Sequence, residues 1–143
     1  MAYVPVTHKF VAVLNKKVPV SNLMNALGHV TAGLAATYPR PEELRFDDYV
    51  DADSNTHAHI SDNPFIVLQA DNSNQLRVLR HSLLAAGLLC VDFTSTMTQG
   101  TYAEQQERTR ATPEAELDYW AVATFAEIEQ LGMLTKKFSL WRG

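Results

Sequence analysis

The sequence predicts an α/β fold of stacked layers, and three observations carry that expectation. Short apolar runs recur at residues 9–14, 65–69 and 88–93, with the length and composition of strands buried inside a sheet. Between them lie segments whose apolar residues return every three or four positions, the spacing of an amphipathic helix. Turn and capping signals separate the two kinds of segment. Strands and helices therefore alternate, which is the order of a layered α/β domain.

The first strand is Lys9-Phe-Val-Ala-Val-Leu14, β-branched at Val11 and Val13. Pro19 breaks the chain after it, and Ser21 is the expected N-cap of a helix reaching about Thr37. Leu23, Leu27, Val30 and Leu34 form its inward stripe, while Gly28, Ala32, Gly33 and Ala36 let another backbone come close. The helix must stop at Tyr38-Pro-Arg-Pro41, because a residue preceding proline is steered away from helical dihedrals. Residues 42–62 read as acidic and irregular, dense in turn formers at Asp51-Ala-Asp-Ser-Asn55, with a short exposed strand at 56–60.

Phe65-Ile-Val-Leu-Gln69 is a second buried strand. A helix over about 74–86 places Leu76, Leu79, Leu83 and Ala86 inward before Gly87 closes it. A third buried strand covers 88–93. Thr101 and Glu104 make a capping box for a helix from Tyr102 to about Arg110. Residues 113–131 fit one long helix through Ala121, Phe125, Ile128 and Leu131. The aromatic and β-branched alternation of Tyr119-Trp-Ala-Val-Ala-Thr-Phe125 favours instead a strand over 118–125, then a helix over 126–134. No repeat or linker divides the chain, so residues 1–143 read as one domain.

Apolar residues make up 46% of the chain and charged residues 20%, which excludes the disordered, collagen-like and low-complexity classes. Twelve Lys and Arg stand against 16 Asp and Glu, a formal net charge of −4. Glu42, Glu43, Asp47, Asp48, Asp51, Asp53, Asp62 and Asp71 share their stretch with one base, Arg45. That region repels phosphates, so nucleic acid is a disfavoured partner. RNA contact would fall to Lys9, Lys16, Lys17, Lys136, Lys137 and Arg142. The one cysteine, Cys90, rules out an internal disulfide and reads as an inert thiol in an apolar run. The N-terminal stretch has no basic and apolar leader pattern, and no apolar run is long enough to span a bilayer. A cytoplasmic location without membrane attachment is expected.

Glycine motifs carry no chemistry. Gly28-His-Val-Thr-Ala-Gly33 has the spacing of a phosphate loop, but Leu34 and Ala35 replace the required Lys and Ser or Thr. No dinucleotide fingerprint, nucleophile elbow or paired-histidine zinc motif is present. Asp51-Ala-Asp53-Ser-Asn55 imitates the start of a calcium loop, yet Thr56 stands where glycine belongs and Asp62 where a bidentate glutamate belongs. The expected reading is a polar turn into an exposed strand. His57 and His59 share one face of that strand and, with Asp53, are the weak metal candidates; solvated histidines are the better expectation.

Two groups are candidates for a ligand site. Asn25 and His29 lie one helical turn apart beside the Leu23 stripe. Asp92, Thr94 and Thr96, with Ser95 and Thr98, follow the carboxyl end of the third buried strand, where α/β sheets bind ligands. A Ser/Thr turn before the Thr101 cap accounts for that cluster equally well. Spacing alone assigns no acid–base or nucleophile–base pair, and no cofactor is expected.

Four motifs taken in order resemble one family across nearly the whole chain. They are Lys9-Phe-Val-Ala-Val-Leu-Asn15, Leu23-Met-Asn-Ala-Leu-Gly-His-Val-Thr-Ala32, Asp51-Ala-Asp-Ser-Asn-Thr-His57, and Thr124-Phe125 with Leu134-Thr-Lys-Lys-Phe-Ser-Leu140. The sequence is similar to the "domain of unknown function 2000" family, which resembles in fold the type II peptidyl-tRNA hydrolases. The resemblance implies a three-layer α/β/α sandwich on a mixed sheet of about four main strands. It does not imply the hydrolase activity. Lys9 matches that enzyme's strand lysine, but Asn22 and Met24 stand in its lysine-bearing turn, Gly28 in place of its glutamine and Thr31 in place of its histidine.

The expected function is therefore a small-molecule enzyme or ligand-binding domain, with its site at the start of the first helix and the strand carboxyl ends. The alternative is a non-catalytic self-association or protein-interaction module, with Trp120 or Trp141 on a flat apolar surface. A homodimer is the expected assembly if the chain oligomerises. A peptidyl-tRNA hydrolase-like esterase is the residual third reading.

Overall fold

The central strand of the protein is β1, His8–Asn15, and its two faces decide how everything else packs. The structure, a computed structural model, describes residues 4–143; Met1, Ala2 and Tyr3, part of the stretch read for a leader, lie outside the described residues. Parallel to β1 on one side runs β4, Phe65–Ala70, and antiparallel on the other runs β6, Tyr119–Glu127. A strand at Cys90–Thr94, β5, pairs antiparallel with β6. A two-residue strand at Ser139–Leu140, β7, pairs antiparallel with β4. The result is a mixed five-stranded sheet in the order β5-β6-β1-β4-β7. The four longer strands were expected. β7 was not, because two residues carry no periodicity.

Successive side chains of a strand point to opposite faces, and β1 separates the core accordingly. Phe10, Ala12 and Leu14 join one cluster with Leu23, Ala26, Val30 and Leu34 of α1, Val20–Thr37. Val11 and Val13 join the other, with Leu76, Leu79 and Leu83 of α2, Ser73–Ala85, and Leu131 of α4, Ile128–Leu134. Each buried leucine contributes about 1.5–3 kcal/mol relative to exposure. The remaining helix, α3 at Tyr102–Arg110, buries no residue and is held by its ends. Thr101 Oγ1 accepts from the Glu104 N–H, and Glu104 reaches back to the Thr101 N–H, so the expected capping box is present. No helix of the described residues is long and apolar enough to cross a membrane.

Several local expectations need correction. Helix α1 starts at Val20, with Pro19 rather than Ser21 as its N-cap. The Pro19 carbonyl accepts from Asn22 and Leu23, and its fixed φ of −55° leads into the helix without a side-chain cap. Of the small residues on α1, only Gly33 permits close approach: a Cβ there would meet Val91 Cγ1 at 3.3 Å, whereas Gly28 faces open space. Ala32 and Ala36 are exposed. Asn72, not a residue near 74, caps α2 by accepting from Gln75, and Ala86 is an exposed C-cap rather than an inward residue. Gly87 does close that helix, with φ at +74°.

Residues 42–62 hold more structure than their composition suggests. A single 3₁₀ turn, Pro41–Leu44, leads into β2 at Phe46–Val50, which pairs antiparallel with β3 at Thr56–Ser61. Strand β3, expected as a short exposed strand over 56–60, is exposed and forms a separate two-stranded sheet with β2. Its apolar residues, Phe46, Tyr49, Val50 and Ile60, are all exposed.

Such a hairpin is marginal alone, and Asn63 ties its base to the body. The Asn63 Nδ2 donates to the carbonyls of Glu43 and Leu44 at 3.0 and 3.1 Å. Asn63→Ala removes both bonds, and the expected loss is about 1–3 kcal/mol in urea unfolding. Amide exchange should quicken in β2 and β3 while β1 stays protected.

Candidate functional site

The cleft between α1, β5 and α3 is built by one helical spacing and one strand alternation. Asn25 and His29 lie a turn apart on α1 and are both exposed. Beneath them, Val91 and Phe93 of β5 point toward α1, and Gly33 lets helix and strand approach at that point. The His29 ring stacks on Phe93 with centroids 5.6 Å apart and planes 23° apart. Phe93 in turn lies 5.8 Å from the Trp120 ring of β6. The hollow measures about 510 Å³ and is closed on its far side by Met97, Thr98, Tyr102 and Gln105. A smaller hollow of about 240 Å³ shares Asn25 and Thr98 with it and adds Ser21, Asn22, Gln99 and Trp120. Together they form a groove along the opening turns of α1.

Three of the five ligand candidates border this cleft: Asn25, His29 and Asp92. Asp92 does so without its carboxylate. Cys90 and Asp92 alternate with Val91 and Phe93, so they face α2. There Asp92 Oδ2 accepts from Arg80 Nε at 3.0 Å. Burial pushes the Asp92 carboxyl above its ordinary value, and the Arg80 guanidinium reverses only part of that shift. The Cys90 thiol, on the same side, is also pushed up by burial; it is half-buried and weakly nucleophilic there.

Thr94 and Thr96 lie beneath the cleft rather than in it. Both are buried, with their hydroxyls 2.6 Å apart. Thr109 Oγ1 of α3 donates to Thr96 Oγ1 at 2.8 Å, so the threonines fasten α3 to the end of β5. Thr98, from the same cluster, does border the cleft, and its hydroxyl donates to the Ser95 carbonyl at 2.7 Å. Sequence reasoning did not pick out Phe93, Tyr102, Gln105 and Gln99, and it weighed Asn22 only against the hydrolase's lysine-bearing turn. The capping box placed Tyr102 and Gln105 correctly on a helix, but nothing in its spacing revealed which element that helix faces.

The weak metal candidates do not assemble. His57 Nε2 lies 2.9 Å from Asp51 Oδ2, and His59 Nδ1 lies 2.6 Å from Asp48 Oδ1, two separate exposed pairs. Asp53 joins neither; its N–H donates to Asp51 Oδ1 at 2.9 Å within the turn. Among the described residues, no three potential ligands cluster as a metal site.

The lining is accordingly amide, hydroxyl and aromatic, and the one carboxylate bordering it is turned away. This arrangement can hydrogen-bond and stack a ligand, but it presents no acid–base pair. The Asp92–Arg80 pair is testable as structure. A carboxyl whose folded pKa is raised confers stability at low pH that disappears as pH rises through that value. Arg80→Met leaves the Asp92 carboxylate unpaired, so its loss of stability should be larger at about pH 7 than at about pH 5. For one carboxyl the difference in urea unfolding is bounded at about 2.7 kcal/mol over those two pH units; equal losses at both pH values would refute the coupling.

The fold recurs in a solved structure of a protein of unknown function from Agrobacterium tumefaciens. The two superpose with a TM-score of 0.81 at 18% identity, over 95% of this chain and 98% of the other. No curated protein matches the chain. The family model described as "Protein of unknown function (DUF2000)" matches residues 8–142. This chain therefore belongs to the DUF2000 family.

Proposed function

We propose that the chain is a single three-layer α/β/α domain, in the manner of the type II peptidyl-tRNA hydrolases. Its function in this reading is to bind a small, uncharged, ring-bearing polar molecule in the cleft between α1, β5 and α3. The observation that carries this is the character of the lining. Asn22, Asn25, Gln99 and Gln105 supply amide donors and acceptors beside the stacked rings of His29 and Phe93 and the tilted ring of Trp120. A charged ligand would lose its hydration there without gaining a counter-charge. A neutral heterocycle or a hydroxylated ring could exchange water for these amides and lay its face on an aromatic ring. Asn25 and His29 supply the polar contacts, while Thr94 and Thr96 hold the cleft's floor in place.

Native mass spectrometry of the freshly purified, untagged protein tests the reading. The expected spectrum carries a reproducible extra mass, which disappears in Asn25→Ala and His29→Ala variants of unchanged circular dichroism. A retained mass that survives both substitutions would place the ligand elsewhere.

One observation favours a second reading, a protein-interaction module. The β2–β3 hairpin presents Phe46, Tyr49, Val50 and Ile60 to solvent, with Tyr49 59% and Val50 66% exposed. A ligand-free multimer that dissociates when Tyr49 and Val50 are replaced by serine would favour this reading over the first.

A further inference from the structure

A second cavity, of about 630 Å³, opens at the far end of α1 from the Asn25–His29 cleft. Helix α1 stops at Thr37, while β1 and β6 extend to His8 and Glu127, which face each other in the antiparallel register. The floor is apolar, made by Leu84, Leu88 and Leu89 with Phe125 of β6. The lining also carries both charges, those of Arg40 and Glu127.

Arg40 is held in position by its neighbours. Tyr38 is buried, 7% exposed, with its ring edge-on to Phe125 at 4.9 Å. Its hydroxyl donates to Glu43 Oε1 at 2.5 Å and accepts from Arg40 Nη2 at 2.8 Å. Arg40 Nε donates to Glu43 Oε2 at 2.9 Å, and the guanidinium lies 5.0 Å from the Tyr38 ring centroid. These contacts occupy one edge of the guanidinium. Nη1 has no hydrogen-bond partner among the described residues. Glu127 likewise takes part in no ion pair among them. His8 stacks on Phe125 at 5.3 Å, with its Nε2 3.6 Å from Glu43 Oε1.

We propose that this cavity binds a zwitterion with an apolar side chain, the chemistry of a free α-amino acid such as leucine. The ligand carboxylate takes the free edge of Arg40, its ammonium group takes Glu127, and its side chain rests on Leu84, Leu88 and Leu89. These two charges make the choice of class. A simple carboxylic acid would meet Arg40 but also face the Glu127 carboxylate, and a simple amine would face the guanidinium. Only a ligand carrying both charges satisfies both residues, and only one with an apolar body covers the floor.

Isothermal titration of the whole protein with L-leucine, 4-methylpentanoate and 3-methylbutylamine tests the proposal, since the last two each lack one charge. Leucine should bind saturably, at least about tenfold tighter than either analogue. Glu127→Gln, a change at an exposed position, should weaken leucine about tenfold and make 4-methylpentanoate, which still meets Arg40, the tighter of the two single-charge analogues. Asn25→Ala should leave leucine binding unchanged. The proposal is overturned if leucine shows no saturable heat at millimolar concentration, if an analogue binds as well, or if Glu127→Gln has no effect. Loss of leucine binding in Asn25→Ala would overturn it too, by placing leucine in the other cleft.

Discussion

Strand β1 is paired along both edges and buried on both faces, and the register of those pairings settles which side of the sheet every neighbouring residue occupies. Phe10 lies opposite Phe65 of β4 and Phe125 of β6, so three aromatic residues meet on the α1 side. One position along, Val11 lies opposite Ile66 and Thr124, and its side belongs to α2 and α4. A slip of one residue would exchange the two faces of a strand. Such a slip in β1 would set Val11 and Val13 against α1 and Phe10, Ala12 and Leu14 against α2, so the two helix stripes also enforce the register.

The cleft follows from the same alternation carried two strands outward. Strand β6 passes the register of β1 to β5 through Val91↔Ala123 and Asp92↔Val122. Phe93 is thereby committed to the α1 side, where it supports His29, and Asp92 to the α2 side, where it meets Arg80. Gly33 sets how closely α1 approaches β5, because its missing Cβ makes room for Val91. The polar contacts of the cleft therefore depend on interactions that are themselves apolar. A bulkier residue at Gly33 would lift Asn25 and His29 away from their aromatic support without touching either.

Much of this was legible in the sequence wherever one period dominated. The apolar run of β1 needed burial on both faces and has it, and the Leu23, Val30 and Leu34 spacing oriented α1 correctly. The capping box located α3, because both halves of that signal lie within four residues. The strand reading of β6 prevailed over a long helix for a physical reason: Ala121 to Ala126 are all buried, and continuous burial suits a central strand. What stayed illegible required knowledge of a partner. Strand β2 hides in an acidic stretch, because its apolar residues face solvent rather than a core. Thr94 and Thr96 look like site residues on paper. Their role as a buried fastening shows only once Thr109, thirteen positions further on from Thr96, is beside them.

The position of Asp92 also limits what the cleft can do. A carboxyl with a pKa raised by burial is a common acid in enzyme sites, and Asp92 sits beside the right hollow. Its side chain nonetheless leaves β5 on the far face, and the backbone of the sheet stands between its oxygens and His29. Proton transfer needs hydrogen-bond reach, directly or through one water, and a change of rotamer cannot carry a side chain through a sheet. The raised carboxyl is a consequence of packing against α2, offset in part by Arg80. In the proposed reading Asn25, His29 and Thr98 therefore orient a ligand without a neighbouring acid to exchange protons with, because a single strand separates the Asp92 carboxyl from the cleft.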